Sequence, residues 1–107
     1  MNDRFSLIYS PESIDDLRDI FAYISVSLSE STIARKQVER IRTAVKTLDQ
    51  LPLRNPLVEW EPWSTYQMRK LLVDNYIVFY LVDTESKTVS VIRILYGGRD
   101  LEAVLTK

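Results

Sequence analysis

The sequence predicts an α+β fold: two helices packed as a hairpin on one face of a small, mostly antiparallel sheet. Three observations lead there. An alternating stretch at the start is followed by two segments with helical spacing. Three strand-like segments separated by tight turns then complete the chain. Its 107 residues suffice for one hydrophobic core and no more. The predicted order is β-α-α-β-β-β with a short C-terminal helix, in a single domain spanning residues 1–107.

The first strand is expected over residues 4–10, where Phe5, Leu7 and Tyr9 alternate with Arg4, Ser6, Ile8 and Ser10. Ser10-Pro11-Glu12 then reads as a helix start: a hydroxyl to cap free amides, a proline at the first position, and an acid at the positive end of the dipole. Ile14, Leu17, Ile20, Phe21, Ile24 and Leu28 form the apolar side of this helix, with Asp15, Asp16 and Asp19 on the other. A second helix, capped by Ser29 or Ser31, is expected to run to about Gln50 with its stripe on Ile33, Val38, Ile41, Val45, Leu48 and Leu51. Its polar side carries Arg35, Lys36, Arg40, Arg42 and Lys46. An acidic helix beside a basic one implies two solvated faces with some charge pairing between them.

Residues 51–64 hold three of the four prolines and both tryptophans, so a loop is expected, with Trp60 and Trp63 lying over the edge of the core. Strands follow at 66–73, 75–82 and 88–96, the first two joined by a tight turn at Asp74-Asn75. The middle one is nearly all apolar and must be central. Simple alternation puts Val89, Val91, Arg93 and Leu95 on one face of the last strand. Arg93 interrupts an apolar run, so that face is expected to be partly open, to water or to a partner. Gly97-Gly98, the only glycines, end the strand; backbone angles reserved for glycine are the expected reason. Asp100 then caps a short helix over 100–105. The first strand is expected beside the last one or at an edge.

Composition narrows the chemistry. Cysteine and histidine are both absent, which removes disulfides, imidazole bases and serine–histidine triads and leaves no credible zinc ligand set. No cofactor and no metal are expected. Formal net charge is −1, so affinity for nucleic acid would have to come from a local patch. No apolar run approaches a membrane span, and a cytoplasmic location is expected.

Three stretches resemble the RelE/ParE superfamily of bacterial type II toxin–antitoxin systems, whose members include plasmid stabilisation proteins: YSPESIDDLRDIFAYI (9–24), DNYIVFYLVD (74–83) and VSVIRILYGGRDLEAVL (89–105). The likeness covers nearly the whole chain except the loop at 52–65. It implies a growth-arresting toxin neutralised by a cognate antitoxin encoded beside it. ParE-like members inhibit DNA gyrase by protein binding; RelE-like members are metal-free endonucleases that cut mRNA on the ribosome. Under the nuclease alternative, Arg69, Tyr96 and Arg99 would be catalytic, the arginines neutralising a phosphorane and the tyrosine passing a proton. Arg69 and Arg99 match basic positions of the RelE pattern, but Ile77 and Gln67 stand where that pattern has cations. Together with the acidic pI of about 5.4 and the long helical hairpin, this makes the chain closer to ParE. Arg93 and Arg99 are the expected partner-binding residues: both, with the terminal stretch 102–107, toward gyrase, while an antitoxin helix or added strand is expected across exposed apolar surface with acidic side chains near Arg93 or the basic second helix. A relative retained as a non-toxic binding module is the third possibility.

Overall fold

The computed structural model describes residues 4–105. Its order is β1 (Ser6–Tyr9), α1 (Pro11–Ala22), α2 (Ser31–Lys46), β2 (Arg69–Val73), β3 (Tyr76–Asp83), β4 (Thr88–Tyr96) and α3 (Leu101–Leu105). A single sheet has strand order β1-β4-β3-β2. β1 runs parallel to β4, and the other pairs are antiparallel. β1 is therefore both an edge strand and the neighbour of the last strand.

Local chemistry explains the helix starts and stops. Ser10 caps α1 by accepting the Ser13 amide at 3.0 Å, with Pro11 at the first position. α1 passes into one turn of wider π-helix, Tyr23–Ser27, so the regular helix is shorter than the apolar spacing implies. α2 has no serine cap: Glu30 occupies the N-cap position without a side-chain bond, and Ser29 sits at φ 56°. α2 tightens to a 3₁₀ turn at Thr47–Asp49. Of the expected stripe Ile41, Val45 and Leu48 are buried and Val38 is partly buried, but Ile33 and Leu51 are exposed, and Ala34 and Gln37 face inward in addition. Asp74, at φ 55°, makes the two-residue β2–β3 turn.

The core between helices and sheet contains Leu17, Ile20, Ile41, Val45, Val78 and Ile94. The opposite sheet face is not open. Val58, Met68, Phe79, Leu95 and Leu105 form a second buried cluster there, with Trp60 and Trp63 packed against it. The loop joining α2 to β2 crosses this face, and α3 closes it; the Trp63 indole N–H donates to the Leu105 carbonyl at 3.0 Å. Leaving five large apolar side chains wet would cost about 1.5–3 kcal/mol each, which is why the proline-rich stretch folds back.

β4 does not alternate simply. A bulge shifts the register between Phe79 and Tyr80, so Tyr80 pairs with Val91 but Phe79 with Arg93. As a result Val91 and Ile94 share the helix-side core while Leu95 joins the opposite cluster. The helix charges pair with the sheet: Asp16 of α1 with Arg93, and Arg40 of α2 with Asp74.

Candidate functional site

Three surfaces carry polar or aromatic groups that the fold does not bury. The first is the tip where β4 ends. Tyr96, half-exposed, meets Tyr76 edge to face at 5.9 Å between ring centres. Both border a groove of about 480 Å³ between α1 and β4, together with Asp16, Asp19, Tyr23 and Arg99. Burial is the main reason the Tyr76 hydroxyl titrates above its usual value, with Tyr96 and Tyr23 adding to it.

The glycines at this tip answer to space rather than to backbone angle, since neither has a positive φ. A Cβ on Gly98 would lie 2.5 Å from Cε2 of Tyr96, and one on Gly97 would lie 3.3 Å from the Asn75 carbonyl oxygen. Gly98 lets the Tyr96 ring fold over the chain; Gly97 lets the strand end approach the β2–β3 turn, whose Asn75 carbonyl accepts the Gly97 amide at 2.8 Å. Asp100 caps α3 as expected, accepting the Ala103 amide at 3.3 Å.

Arg93 is not the open cation expected. β1 ends at Tyr9, leaving the adjoining edge of β4 without a strand beyond Val91. Asp16 takes that place, accepting the Ile94 amide at 2.9 Å and a bidentate pair from Arg93, Nε at 2.8 Å and Nη2 at 3.0 Å. The bond to Asp16 holds the Arg93 guanidinium above its already high pKa. Arg99, by contrast, is exposed at the tip. The terminal residues 106 and 107 lie outside the described residues.

Arg69, Tyr96 and Arg99 are not brought together. Val73 lies across Tyr76 from Tyr96, and Arg69 is four positions back along β2. At about 3.3 Å per residue and about 4.8 Å per strand, Arg69 starts roughly 16 Å from Tyr96. Its guanidinium also donates to the Asn55 carbonyl at 2.6 Å, away from the tip.

The second surface is a groove of about 430 Å³ along the helical hairpin, lined by Tyr9, Ile14, Phe21, Val38, Arg18 and Arg42. Ile14 and Phe21 are each 39% exposed there. Arg42 lies over the Tyr9 ring at 5.8 Å. Burial raises the Tyr9 pKa, and Arg42 only partly offsets it. The third surface, at the other end of β4 from the glycines, is a groove of about 800 Å³ beside residues 50–54. Among the described residues no acidic or histidine cluster suited to a metal ion occurs.

A family model described as ParE toxin of type II toxin–antitoxin system, parDE, matches residues 7–101. The chain belongs to the ParE toxin family. Solved structures agree in fold. The ParE family member is similar to a chain of the chromosomal ParDE toxin–antitoxin system of P. aeruginosa, with TM-score 0.71 and 24% identity over 88% of this chain and 97% of that one. A chain of the Mycobacterium tuberculosis RelBE2 toxin–antitoxin complex has TM-score 0.59 and 18% identity, covering 87% and 91%. A free E. coli RelE toxin mutant has TM-score 0.64 and 13% identity, covering 96% and 92%. No sequence among curated proteins matches significantly.

Asp16 is the residue that reading the sequence placed wrongly, on the solvent side of α1. One signal pointed to it: a lone arginine in an apolar strand needs a carboxylate, and Asp16 is flanked by the buried positions Ser13, Leu17 and Ile20.

Proposed function

We propose that this protein is a toxin that arrests growth by binding DNA gyrase and is silenced by a cognate antitoxin, which would place it in the bacterial cytoplasm. Family membership supports the toxin role. The observation that carries the mode of action is the dispersal of cations. Metal-free RNA cleavage needs guanidinium groups converging on one phosphate, each worth on the order of 10²-fold or more in rate. Here Arg93 is neutralised by Asp16, and Arg69 is turned to a carbonyl far from Tyr96 and Arg99. A protein-binding toxin needs no such cluster. Arg99, exposed beside Tyr96, faces the target in this reading, while Arg93 acts indirectly by fixing α1 to β4.

The antitoxin is assigned to the hairpin groove. Exposed Ile14 and Phe21 between Arg18 and Arg42 suit an amphipathic helix with acidic flanks. Capture by the neighbouring gene product tests this: Phe21→Asp combined with Arg42→Glu should abolish it, and unchanged capture would remove the site.

Induced expression in bacteria tests the target. Arrest with a DNA-damage response and intact transcripts supports gyrase, as does inhibition of supercoiling by purified protein. Rapid transcript cleavage on the ribosome, lost in Arg99→Ala, would instead establish the mRNA endonuclease. Absence of arrest would leave a binding module.

A further inference from the structure

The groove between α1 and β4 is built largely from polar and aromatic side chains that the fold leaves without partners. Asp16, Asp19, Ile20 and Tyr23 line it from α1 at the spacing i, i+3, i+4 and i+7, which is one face of a helix. Tyr23 also begins the wider π turn, and such turns recur at functional sites. Tyr76 and Tyr96 stand on the sheet side with their rings edge to face. After burial, it is Tyr96 and Tyr23 that raise the Tyr76 hydroxyl, so the three phenols converge. Yet none of their hydroxyls is hydrogen-bonded to another group among the described residues. Tyr23 and Tyr96 remain 58% and 50% exposed.

The charges around the groove select its occupant. Both oxygens of Asp16 are engaged, by Arg93 and by the Ile94 amide. Asp19 is exposed and forms no ion pair among the described residues. Arg99 borders the groove from the β4 side without pairing with it. An anionic occupant would meet two carboxylates. An apolar one would strip water from Asp19 and from three hydroxyls without replacing the lost bonds. A cation on an aliphatic stem is matched throughout: the stem lies against Ile20 and Ile94, the head meets Asp19, and the tyrosine rings attract it. Arg99 repels the head from the β4 rim and so holds it toward α1.

We infer that this groove is the socket for a basic side chain, lysine or arginine, displayed by the toxin's protein target. The inference rests on the gyrase reading given above and deepens it by naming what the tip recognises. The hairpin groove assigned to the antitoxin shares no lining residue with this one.

Asp19 decides the test, because its side chain is exposed and its replacement breaks no hydrogen bond or ion pair of the fold. Purified full-length wild type, Asp19→Glu, Asp19→Asn, Asp19→Lys and Tyr23→Leu would be compared for inhibition of supercoiling by DNA gyrase, antitoxin capture and melting temperature. Capture should stay within about twofold of wild type and melting should be nearly unchanged. Inhibition should follow the charge at position 19. Asp19→Glu keeps most of it, within about threefold; Asp19→Asn and Tyr23→Leu lose about tenfold, and Asp19→Lys about a hundredfold. Undiminished inhibition by Asp19→Asn and Asp19→Lys overturns the inference and leaves the gyrase reading intact. Stronger inhibition by Asp19→Asn also overturns it, since an apolar occupant gains when the charge is removed. Antitoxin capture lost in step with inhibition gives the groove to the antitoxin and overturns it as well. A wild type that does not inhibit gyrase removes the gyrase reading, and this inference with it.

Discussion

Replacing Asp16 by alanine is the sharpest test of how α1 is fixed to the sheet. The substitution removes three bonds at once: two from Arg93 and one from the Ile94 amide. The Asp16 side chain is 9% exposed and that of Arg93 26%, so the stranded guanidinium is only partly rehydrated. Breaking a buried pair costs about 3–5 kcal/mol, and partial access to water puts this one near about 3. The Ile94 amide, left buried without an acceptor, adds about 1 kcal/mol or more. A loss of about 4 kcal/mol is a large part of the roughly 5–15 available to a domain of this size, and should lower the melting temperature by about 15–25 °C. Thermal unfolding followed by circular dichroism at pH 7 measures it. The decisive measurement is the cycle with Arg93→Met. That variant alone strands the Asp16 carboxylate and should cost about 2–4 kcal/mol. The double variant Asp16→Ala/Arg93→Met strands no charge and should be well above the sum, with a coupling of about 2 kcal/mol. Strict additivity, or a loss below about 1 kcal/mol in each single variant, would refute the account of Arg93 as a pinned residue.

Three further perturbations probe the tip, the loop and the turn. Gly98→Ala should push the Tyr96 ring off Tyr76, costing about 1 kcal/mol and changing the near-ultraviolet circular dichroism, whereas an unchanged spectrum would contradict the steric role given to Gly98. Tyr80→Phe leaves the Pro52 carbonyl and the Asn55 amide without their buried partner and should lower stability by about 1–2 kcal/mol, measured by urea unfolding. Hydrogen bonds from Arg40 first, and from Gln37, hold the Asp74 carboxyl below its ordinary 3.8; a lowered native value means stability present above that pH and lost as pH falls through the native value, so Asp74→Asn should flatten the acid limb of the stability curve in urea titrations below about pH 5.

Periodicity located the elements because each buries one side, and burial is what repeats along a sequence. Ser10-Pro11-Glu12 and Asp74-Asn75 were legible because capping and turn chemistry act on neighbours. What was not legible came from contacts distant in the chain. The bulge in β4 depends on how β3 pairs with it, so strict alternation put Leu95 on the wrong side and left Arg93 without Asp16. The covering of the second sheet face required the 52–67 segment to fold back, and nothing local in a proline-rich stretch says where it lies. The tryptophans gave a partial sign: they do lie on that face, but as part of its lid. Gly97 and Gly98 do mark the strand end, but from another cause than the expected one: the close approach of the Tyr96 ring and of the Asn75 carbonyl, not left-handed angles, disfavours a side chain there. Of the candidate residues, Tyr96 and Arg99 line one groove at the tip, and Arg69 lies away from it because β2 reaches the tip with its other end.

The placement of the arginines bears on which kind of partner the surface suits. A phosphate site gathers guanidinium groups whose donors point outward together, because their charge must be available to the anion. In this fold the described arginines nearest the sheet serve as staples. Arg93 ties β4 to α1, Arg40 ties α2 to the β2–β3 turn, Arg69 and Arg54 tie the long loop to the body. Each such bond turns a cation toward the protein's own oxygen atoms and lowers the potential it offers outside. Beside the exposed cations of α2, Arg35, Lys36, Arg42 and Lys46, and Arg99 at the tip, the surface displays tyrosines at the tip, Ile14 and Phe21 on the hairpin, and Leu51 and Leu53 after α2. On the proposed reading, these apolar and aromatic side chains meet a protein surface rather than a polyanion. Binding to such partners should therefore weaken only modestly between 50 and 300 mM salt, roughly by a few-fold. A fall of about a hundredfold or more over that range would point to an RNA contact and reverse the argument.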